Sequence, residues 1–297
     1  MKGKEFWRWS ERSWRSTERR WYEASAIVAG VDVGSVSSKA VVLVDGKVYA
    51  WSLLRTGHSS PDSAVAALRA ALEGTDLPQN KIAFIVGTGY GRVNVPFADR
   101  TMSEISCHAR GANFIFGDAV RTVLDIGGQD CKAIRCDASG RVKNFVMNDK
   151  CAAGTGRGME VFADILGVSV EEIGEVSLRV EEEPAPVSAT CVVFARSEAL
   201  SLLRKGWSKE KVAAAYCAAM SRRLLSLLKR VGVEREVAVT GGLSKNEGVV
   251  RRLESLLGFG VLRVPQDERY DAQIVGALGA ALFAHDLLTR HTRNRAT

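Results

Sequence analysis

One unit occurs twice in this chain: an apolar strand that runs into an Asp and a Gly and is followed at once by a hairpin. IVAGVDV (27–33) leads into KAVVLVDGKVYAWSLL (39–54), two strand-like runs around Asp45-Gly46. Roughly 90 residues later, RTVLDIGGQD (121–130) leads into CKAIRCDASGRVKNFVMN (131–148). Short β-rich runs hinged on Asp-Gly are a strong hairpin signal. Two such halves suggest a two-lobed α/β protein with a nucleotide cleft. Helices are expected at about 61–73, 153–166, 197–205, 208–231, 245–257 and 271–288, with further strands at KIAFIV (81–86) and REVAVTGG (235–242).

The two Asp-Gly turns do the same physical work. Gly34 in DVGSVSSK and Gly127-Gly128 in DIGGQD let backbone N–H groups approach phosphates with no Cβ in the way. Asp32 and Asp125, at the strand ends, are expected to face each other across those phosphates and hold Mg²⁺ through its waters. Ser35, Ser37, Ser38 and Lys39 supply further donors on the first turn, and Gln129 orients a water or binds the γ-phosphate. A third element, VAVTGGLSKNEGVVRRLE (237–254), ends a strand in Gly241-Gly242, where the backbone can approach a flat purine closely. Ser244 is the expected N-cap of the helix that follows. The chain has neither a P-loop nor a GxGxxG sequence, so those two phosphate loops are lacking.

Six cysteines (107, 131, 136, 151, 191, 217) are scattered through the 297 residues, which favours reduced thiols or metal ligation over a disulfide framework. Cys151 stands just before the small residues of CAAGTGRGME and a helix, where a thiolate becomes reactive or metal-binding. Cys131, Cys136 and Cys217 read as small core hydrophobes, and His58, His108, His285 and His291 form no spaced ligand set. No run of about 18 apolar residues and no secretory-type N-terminus is present, so the expectation is a cytoplasmic protein without a membrane span.

The net charge of +7 sits in the tails: residues 1–26 carry seven Lys/Arg against four Glu, and residues 290–297 add three Arg. The body therefore has no nucleic-acid footprint. Trp7, Trp14 and Trp21 recur every seven positions, the spacing of one helix face. The segment reads either as a docking helix for a partner or membrane surface, or as a tail outside a core that starts with a complete strand at Ile27.

The three glycine-bearing elements resemble the phosphate-1, phosphate-2 and adenosine motifs of the actin, sugar kinase and heat-shock ATPase superfamily. Within it, the chain resembles the 2-hydroxyacyl-CoA dehydratase activators and the ATPase subunits of benzoyl-CoA reductases over about residues 27–288. The likeness rests on GVDVGSVSSKAVVL, GTGYGR (87–92), SEISCHARGA (103–112), LDIGGQD, MNDKCAAGTGRGME, CVVFARSEALSLL (191–203), TGGLSKN and QIVGALGAALFA (273–284). It implies an actin-like ATPase fold of duplicated ribonuclease-H-like lobes. Lobe I is residues 27–116 and 270–290, lobe II is residues 117–269, and residues 1–26 lie outside the core. The implied ligands are ATP or ADP with Mg²⁺, the implied catalytic residues are Asp125, Gln129 and Asp32, and Asn246 and Gln273 join the nucleotide contacts.

The resemblance also implies an oxygen-sensitive 4Fe–4S cluster shared between two subunits, each giving one cysteine from CAAGTG and one upstream of FAxSE. Here those are Cys151 and Cys191. A cluster of this type needs four thiolates, so two per chain call for a homodimer. The implied activity is ATP-gated electron transfer. Reduced ferredoxin or flavodoxin is the donor, closure of the lobes on ATP·Mg is the gate, and hydrolysis makes transfer irreversible. The acceptor is a partner iron–sulfur enzyme such as a 2-hydroxyacyl-CoA dehydratase, a benzoyl-CoA reductase or a double-cubane cluster protein. The alternative is a small-molecule kinase of the same superfamily, with incidental cysteines. Two features depart from the family pattern: Arg196 in FARSE, where a neutral or acidic residue is expected, and the Trp-rich extension.

Overall fold

The structure, a computed structural model, describes residues 9–18, 20–149, 155–188, 191–265 and 267–296. It divides into two compact units, one of Glu11–Val123, Cys136–Lys143 and Val264–Thr297, the other built on Leu124–Arg135 and Asn144–Arg263. The first opens with strands β1 (Arg12–Arg15), β2 (Ile27–Val33), β3 (Ser37–Val44) and β4 (Lys47–Arg55) and helix α1 (Ser60–Leu72). Strands β5 (Phe84–Thr88) and β6 (Arg100–Thr101) and helix α2 (Glu104–Phe116) follow. The six strands make one sheet in the order β1-β4-β3-β2-β5-β6. Asp45 and Gly46 both take positive φ (48° and 75°), the two-residue hairpin turn that Asp-Gly favours, and β3 and β4 pair across it. Strand β2 is buried at all seven positions, as a central strand covered on both faces must be.

The second unit contains β7 (Thr122–Ile126), β8 (Cys131–Cys136), β9 (Val142–Asn148), α3 (Gly156–Leu166), α4 (Ile173–Val176), α5 (Val192–Arg204) and α6 (Lys209–Val231). It closes with β10 (Val237–Thr240), α7 (Glu247–Leu257) and β11 (Leu262–Arg263), and its sheet runs β11-β10-β7-β8-β9. Leu124 and Ile126 of β7 pack in one core with Met159 and Phe162 of α3 and Tyr216 and Met220 of α6. The Phe162 and Tyr216 rings stack with centroids 3.5 Å apart. The helix expected to open at 197 begins at Val192 instead, because Cys191 takes the extended N-cap conformation (φ −157°, ψ 142°).

Helix α8 (Val275–Ala296) returns to the first unit. A Cβ on Gly30 of β2 would stand 2.1 Å from the Ala277 carbonyl, and one on Gly279 would stand 1.8 Å from that of Cys107 on α2. Backbone therefore lies directly on backbone, at separations that exclude any side chain. Helix α2 is absent from the sequence expectation. Ser103 caps it by accepting from the Ser106 amide, and its small residues pack on α8 rather than forming a strong apolar stripe. Among the described residues, no helix is long and apolar enough to cross a membrane.

The N-terminal segment corrects the sequence reading. Its described part is an edge strand and then a 3-10 turn (Trp21–Glu23) rather than one long helix, and it joins the first unit: Arg12–Arg15 pairs antiparallel with β4, placing Trp14 opposite Trp51. Trp21 donates to Asp76 at 2.7 Å and packs against the first unit's core, while Arg15 donates to the Glu73 carbonyl at 3.0 Å. The heptad spacing misleads because alternation along a short edge strand and a following turn use the same tryptophans differently. Trp7 lies outside the described residues. An edge strand screens the unpaired N–H and C=O groups of its neighbour. Deleting residues 1–20 is therefore expected to lower the thermal midpoint by several degrees and to promote aggregation, read by thermal unfolding and light scattering. An unchanged midpoint in a monodisperse sample would show that β1 contributes nothing.

Candidate functional site

In the first unit, Asp32 lies near the C-terminal end of β2, buried, directly opposite Lys39 in the antiparallel register. The Lys39 ammonium stands 3.1 Å from its Oδ2. Glycines leave room around this carboxylate: a Cβ on Gly89 would meet Oδ1 at 2.2 Å, and one on Gly276 of α8 would meet Oδ2 at 3.0 Å and His108 Nε2 at 2.9 Å. Gln273 occupies the turn that opens α8, its amide bonded to Asp271 Oδ1 at 2.8 Å, three residues before Gly276.

The loop after Asp32 is tight. The Gly34 amide donates to the Ser37 carbonyl at 3.0 Å, and Thr56 Oγ1 donates to the Gly34 carbonyl at 2.8 Å. Gly34 thus spends its own N–H on shaping the turn. Ser38 is fully buried and its hydroxyl bonds Thr56 Oγ1 at 2.8 Å, so it offers nothing to a ligand, contrary to the sequence reading. Ser35 is exposed and Ser37 half-buried on the open side of the loop.

The second unit repeats this construction. Asp125 is buried near the end of β7, and the Gly127 amide donates to the Asp130 carbonyl at 2.9 Å, matching the Gly34–Ser37 bond of the first loop. Lys132 on β8 stands 3.5 Å from Asp125 Oδ2 and 2.8 Å from Asp130 Oδ1, with only 3% of its side chain exposed. Gln129 projects from the exposed loop between them. The first amides of α3 bond back to this loop, Gly156 N to Gly127 O at 2.9 Å and Arg157 N to Gly128 O at 2.8 Å.

Strand β10 completes the second half-site. Thr240 Oγ1 donates to Asp125 Oδ1 at 3.1 Å. Gly241 (φ +83°) follows so closely that its Cβ would stand 2.4 Å from the Ile126 carbonyl. Gly242 is exposed at the start of a short 3-10 turn over Gly242–Lys245. Ser244 is not the helix cap: its hydroxyl donates to the Gly241 carbonyl at 2.7 Å to close that turn. Asn246 caps α7 instead, Oδ1 accepting from the Val249 amide at 2.9 Å. The Asn246 Nδ2 is buried with no hydrogen-bond partner among the described residues, a cost that an acceptor on a bound ligand would remove.

The cysteines separate by burial. Cys107, Cys131, Cys136 and Cys217 are buried. Burial pushes the Cys107 thiol up to about 12 and that of Cys217 up to about 11, and raises Cys131 and Cys136 in the same direction. Such thiols keep their protons and make poor metal ligands. Cys191 differs: it is partly exposed at the N-terminus of α5, and exposed Val193 and Phe194 follow it. Arg196 is exposed on the same helix. Cys151 lies outside the described residues. Among the described residues, no group of three or more His, Cys, Asp or Glu is gathered to hold a metal ion.

The structure thus brings together Asp32, Gly34, Ser35, Ser37, Lys39 and the Gln273 turn in one unit, and Asp125, Gly127, Gly128, Gln129, Gly241, Gly242 and Asn246 in the other. The sequence reading missed Lys132. The signal for it was present, since DVGSVSSK and DIGGQDCK share the pattern D-x-G-x4-K.

A model of the BadF/BadG/BcrA/BcrD ATPase family matches residues 29–284. The activator of lactoyl-CoA dehydratase from Anaerotignum propionicum is 45% identical over 260 residues, covering 86% of this chain and 96% of that protein. The (R)-2-hydroxyglutaryl-CoA dehydratase activating ATPase of Acidaminococcus fermentans is 43% identical over 265 residues, covering 88% and 98%. The solved structure of the activator of 2-hydroxyisocaproyl-CoA dehydratase from Clostridium difficile, with bound ADPNP, superposes with a TM-score of 0.83 at 40% identity, covering 90% of this chain and 97% of that one. The α/β fold is that of the actin-like ATPases.

Proposed function

The chain belongs to the BadF/BadG/BcrA/BcrD ATPase family, and on that premise we propose that it is an ATP-dependent activator that delivers low-potential electrons to a partner iron–sulfur enzyme acting on a CoA thioester. It works as a homodimer in the cytoplasm, with reduced ferredoxin or flavodoxin as donor. The observation that carries this reading is the partly exposed Cys191 at the N-cap of α5, in a chain whose other described cysteines are buried. Two copies of Cys191 and Cys151 would hold one 4Fe–4S cluster per dimer, and that oxygen-sensitive group would supply one-electron transfer.

The residues around the nucleotide have separable tasks. In each unit a carboxylate fixed by a lysine, Asp32 in one and Asp125 in the other, would be the group offered to hydrated Mg²⁺. Because Gly34 and Gly127 spend their amides inside their own turns, the donors offered to phosphates are the amides and hydroxyls that follow, at Ser35 and Ser37 and at Gly128 and Gln129. Gly241 and Gly242 admit the purine face, and Asn246 Nδ2 donates to an acceptor on the nucleoside. Gln129 orients the attacking water, and Gln273 adds a contact at the start of α8. The bonds from Gly156 and Arg157 to the Gly127 and Gly128 carbonyls tie the phosphate loop to α3, whose preceding segment carries Cys151. Only a difference in affinity of ATP and ADP for two arrangements of the chain can drive transfer.

The test is an anaerobic preparation. Mg²⁺-dependent ATP hydrolysis together with brown colour and about two iron atoms per chain is expected. A colourless protein that moves the γ-phosphate of ATP onto a small hydroxyl compound would establish the kinase alternative instead.

A further inference from the structure

The two phosphate loops are built alike but charged differently. In each, Asp at the strand end is followed two residues later by a glycine whose amide bonds the carbonyl five residues after the Asp, and seven residues after the Asp comes a lysine whose ammonium approaches the carboxylate. The first loop carries Ser37 at the fifth position and the second carries Asp130. The Asp32–Lys39 pair is therefore neutral. Asp125, Asp130 and Lys132 together carry one net negative charge.

An ammonium at 3% exposure is held there only because it is paired. Its partners include the carboxylates at the start and end of one loop, at 3.5 Å and 2.8 Å. Asp125 is held on both oxygens, Oδ1 by Thr240 and Oδ2 by Lys132. Asp130 is the more exposed of the two acids, with 28% of its side chain open. A bare pair of carboxylates on a six-residue loop is a better trap for a hard divalent cation than one carboxylate acting through water.

Resting on the nucleotide reading above, we infer that Lys132 is a positioning residue: it holds Asp130 away from the metal, so that of the two acids on this loop only Asp125 is offered to Mg²⁺. It acts through Asp125 and does not touch the nucleotide. Removing its charge makes the loop more negative, so the metal binds more tightly while the reaction slows. A residue that merely supports the fold would weaken both, and a residue that touches phosphate would weaken nucleotide binding without metal.

The experiment compares Lys132→Met and Lys132→Arg with wild type in the full-length protein. Calorimetry with ADPNP, with and without Mg²⁺, gives the nucleotide affinity and the Mg²⁺ concentration that half-saturates its tightening, and steady-state ATP hydrolysis gives kcat. In Lys132→Met the half-saturating Mg²⁺ is expected to fall at least about threefold and kcat at least about tenfold, with metal-free ADPNP affinity within about twofold of wild type. Lys132→Arg keeps the charge and stays near wild type in Mg²⁺ response. An unchanged Mg²⁺ response in Lys132→Met overturns the inference, as does loss of metal-free ADPNP affinity. Should Lys132→Met fail to fold, Lys132→Met/Asp130→Asn decides: with no second loop carboxylate left to hold away, half-saturating Mg²⁺ and kcat are expected within about threefold of wild type, and a loss of kcat of about tenfold overturns the inference. Failure of the wild type to bind ADPNP at all would overturn the reading of the nucleotide site itself, and this role with it.

Discussion

Replacing Cys191 by serine is expected to leave an anaerobic preparation colourless, with iron falling from about four atoms per dimer to below about one. The effect is large because each chain contributes only two thiolates to the proposed cluster, so one substitution removes half of the ligand set. Cys151→Ser should behave in the same way. Cys217→Ser is the control: burial pushes that thiol up to about 11, it lies among the apolar residues of α6, and the variant should keep its iron. ATP hydrolysis by Cys191→Ser should stay within about threefold of wild type, because α5 carries none of the phosphate-loop residues. Iron retained in Cys191→Ser, or lost in Cys217→Ser, would remove the basis for a cluster shared through Cys191.

The second large effect belongs to the paired carboxylates. Asp125→Ala and Asp32→Ala should each lose Mg²⁺-dependent hydrolysis by on the order of 10²-fold or more, the scale seen when one preorganised electrostatic contact to a reacting group is removed. A factor of 10² corresponds to about 2.7 kcal/mol of transition-state stabilisation. The variants should still fold. Lys132 keeps Asp130 at 2.8 Å when Asp125 is gone, and Lys39, with 12% of its side chain exposed, has a path to water when Asp32 is gone. Neither change leaves a buried ammonium without a partner, which is what makes the loss of one member of a buried pair so destabilising. Iron content measured on the same preparations should match wild type. Wild-type hydrolysis in both variants would mean that the phosphates and metal lie elsewhere.

Much of the site was legible from local chemistry. Asp45-Gly46 demanded a two-residue hairpin turn and formed one, and the double-glycine segments ended strands where expected, because turn residues act through their own φ and ψ. Helices α3, α6 and α7 were found to within a few residues, the one-turn α4 was missed, and the start of α5 moved because an extended Cys191 is itself the cap. Helix α2 was missed for a physical reason. Beside Ile105, its buried residues are Cys107, His108, Ala109, Gly111 and Ala112, mostly small side chains that permit close approach to α8 rather than add hydrophobic area, so it leaves little periodic signal.

By itself, then, the sequence determined the duplicated strand–Asp–Gly–hairpin plan and the three glycine-bearing loops, which depend on residue type and near-neighbour spacing, and the family likeness, through which Cys151 and Cys191 were singled out. Only the tertiary structure decided which amides remain for a ligand, that Asn246 rather than Ser244 caps α7, that Ser38 is spent on Thr56, that Arg12–Arg15 completes a sheet, and that Lys132 is buried between Asp125 and Asp130. The common reason is that a hydrogen-bonding group has many possible partners along an extended chain. Strand pairing and burial select one of them, and an unmade bond in a dry interior costs too much to leave the choice open.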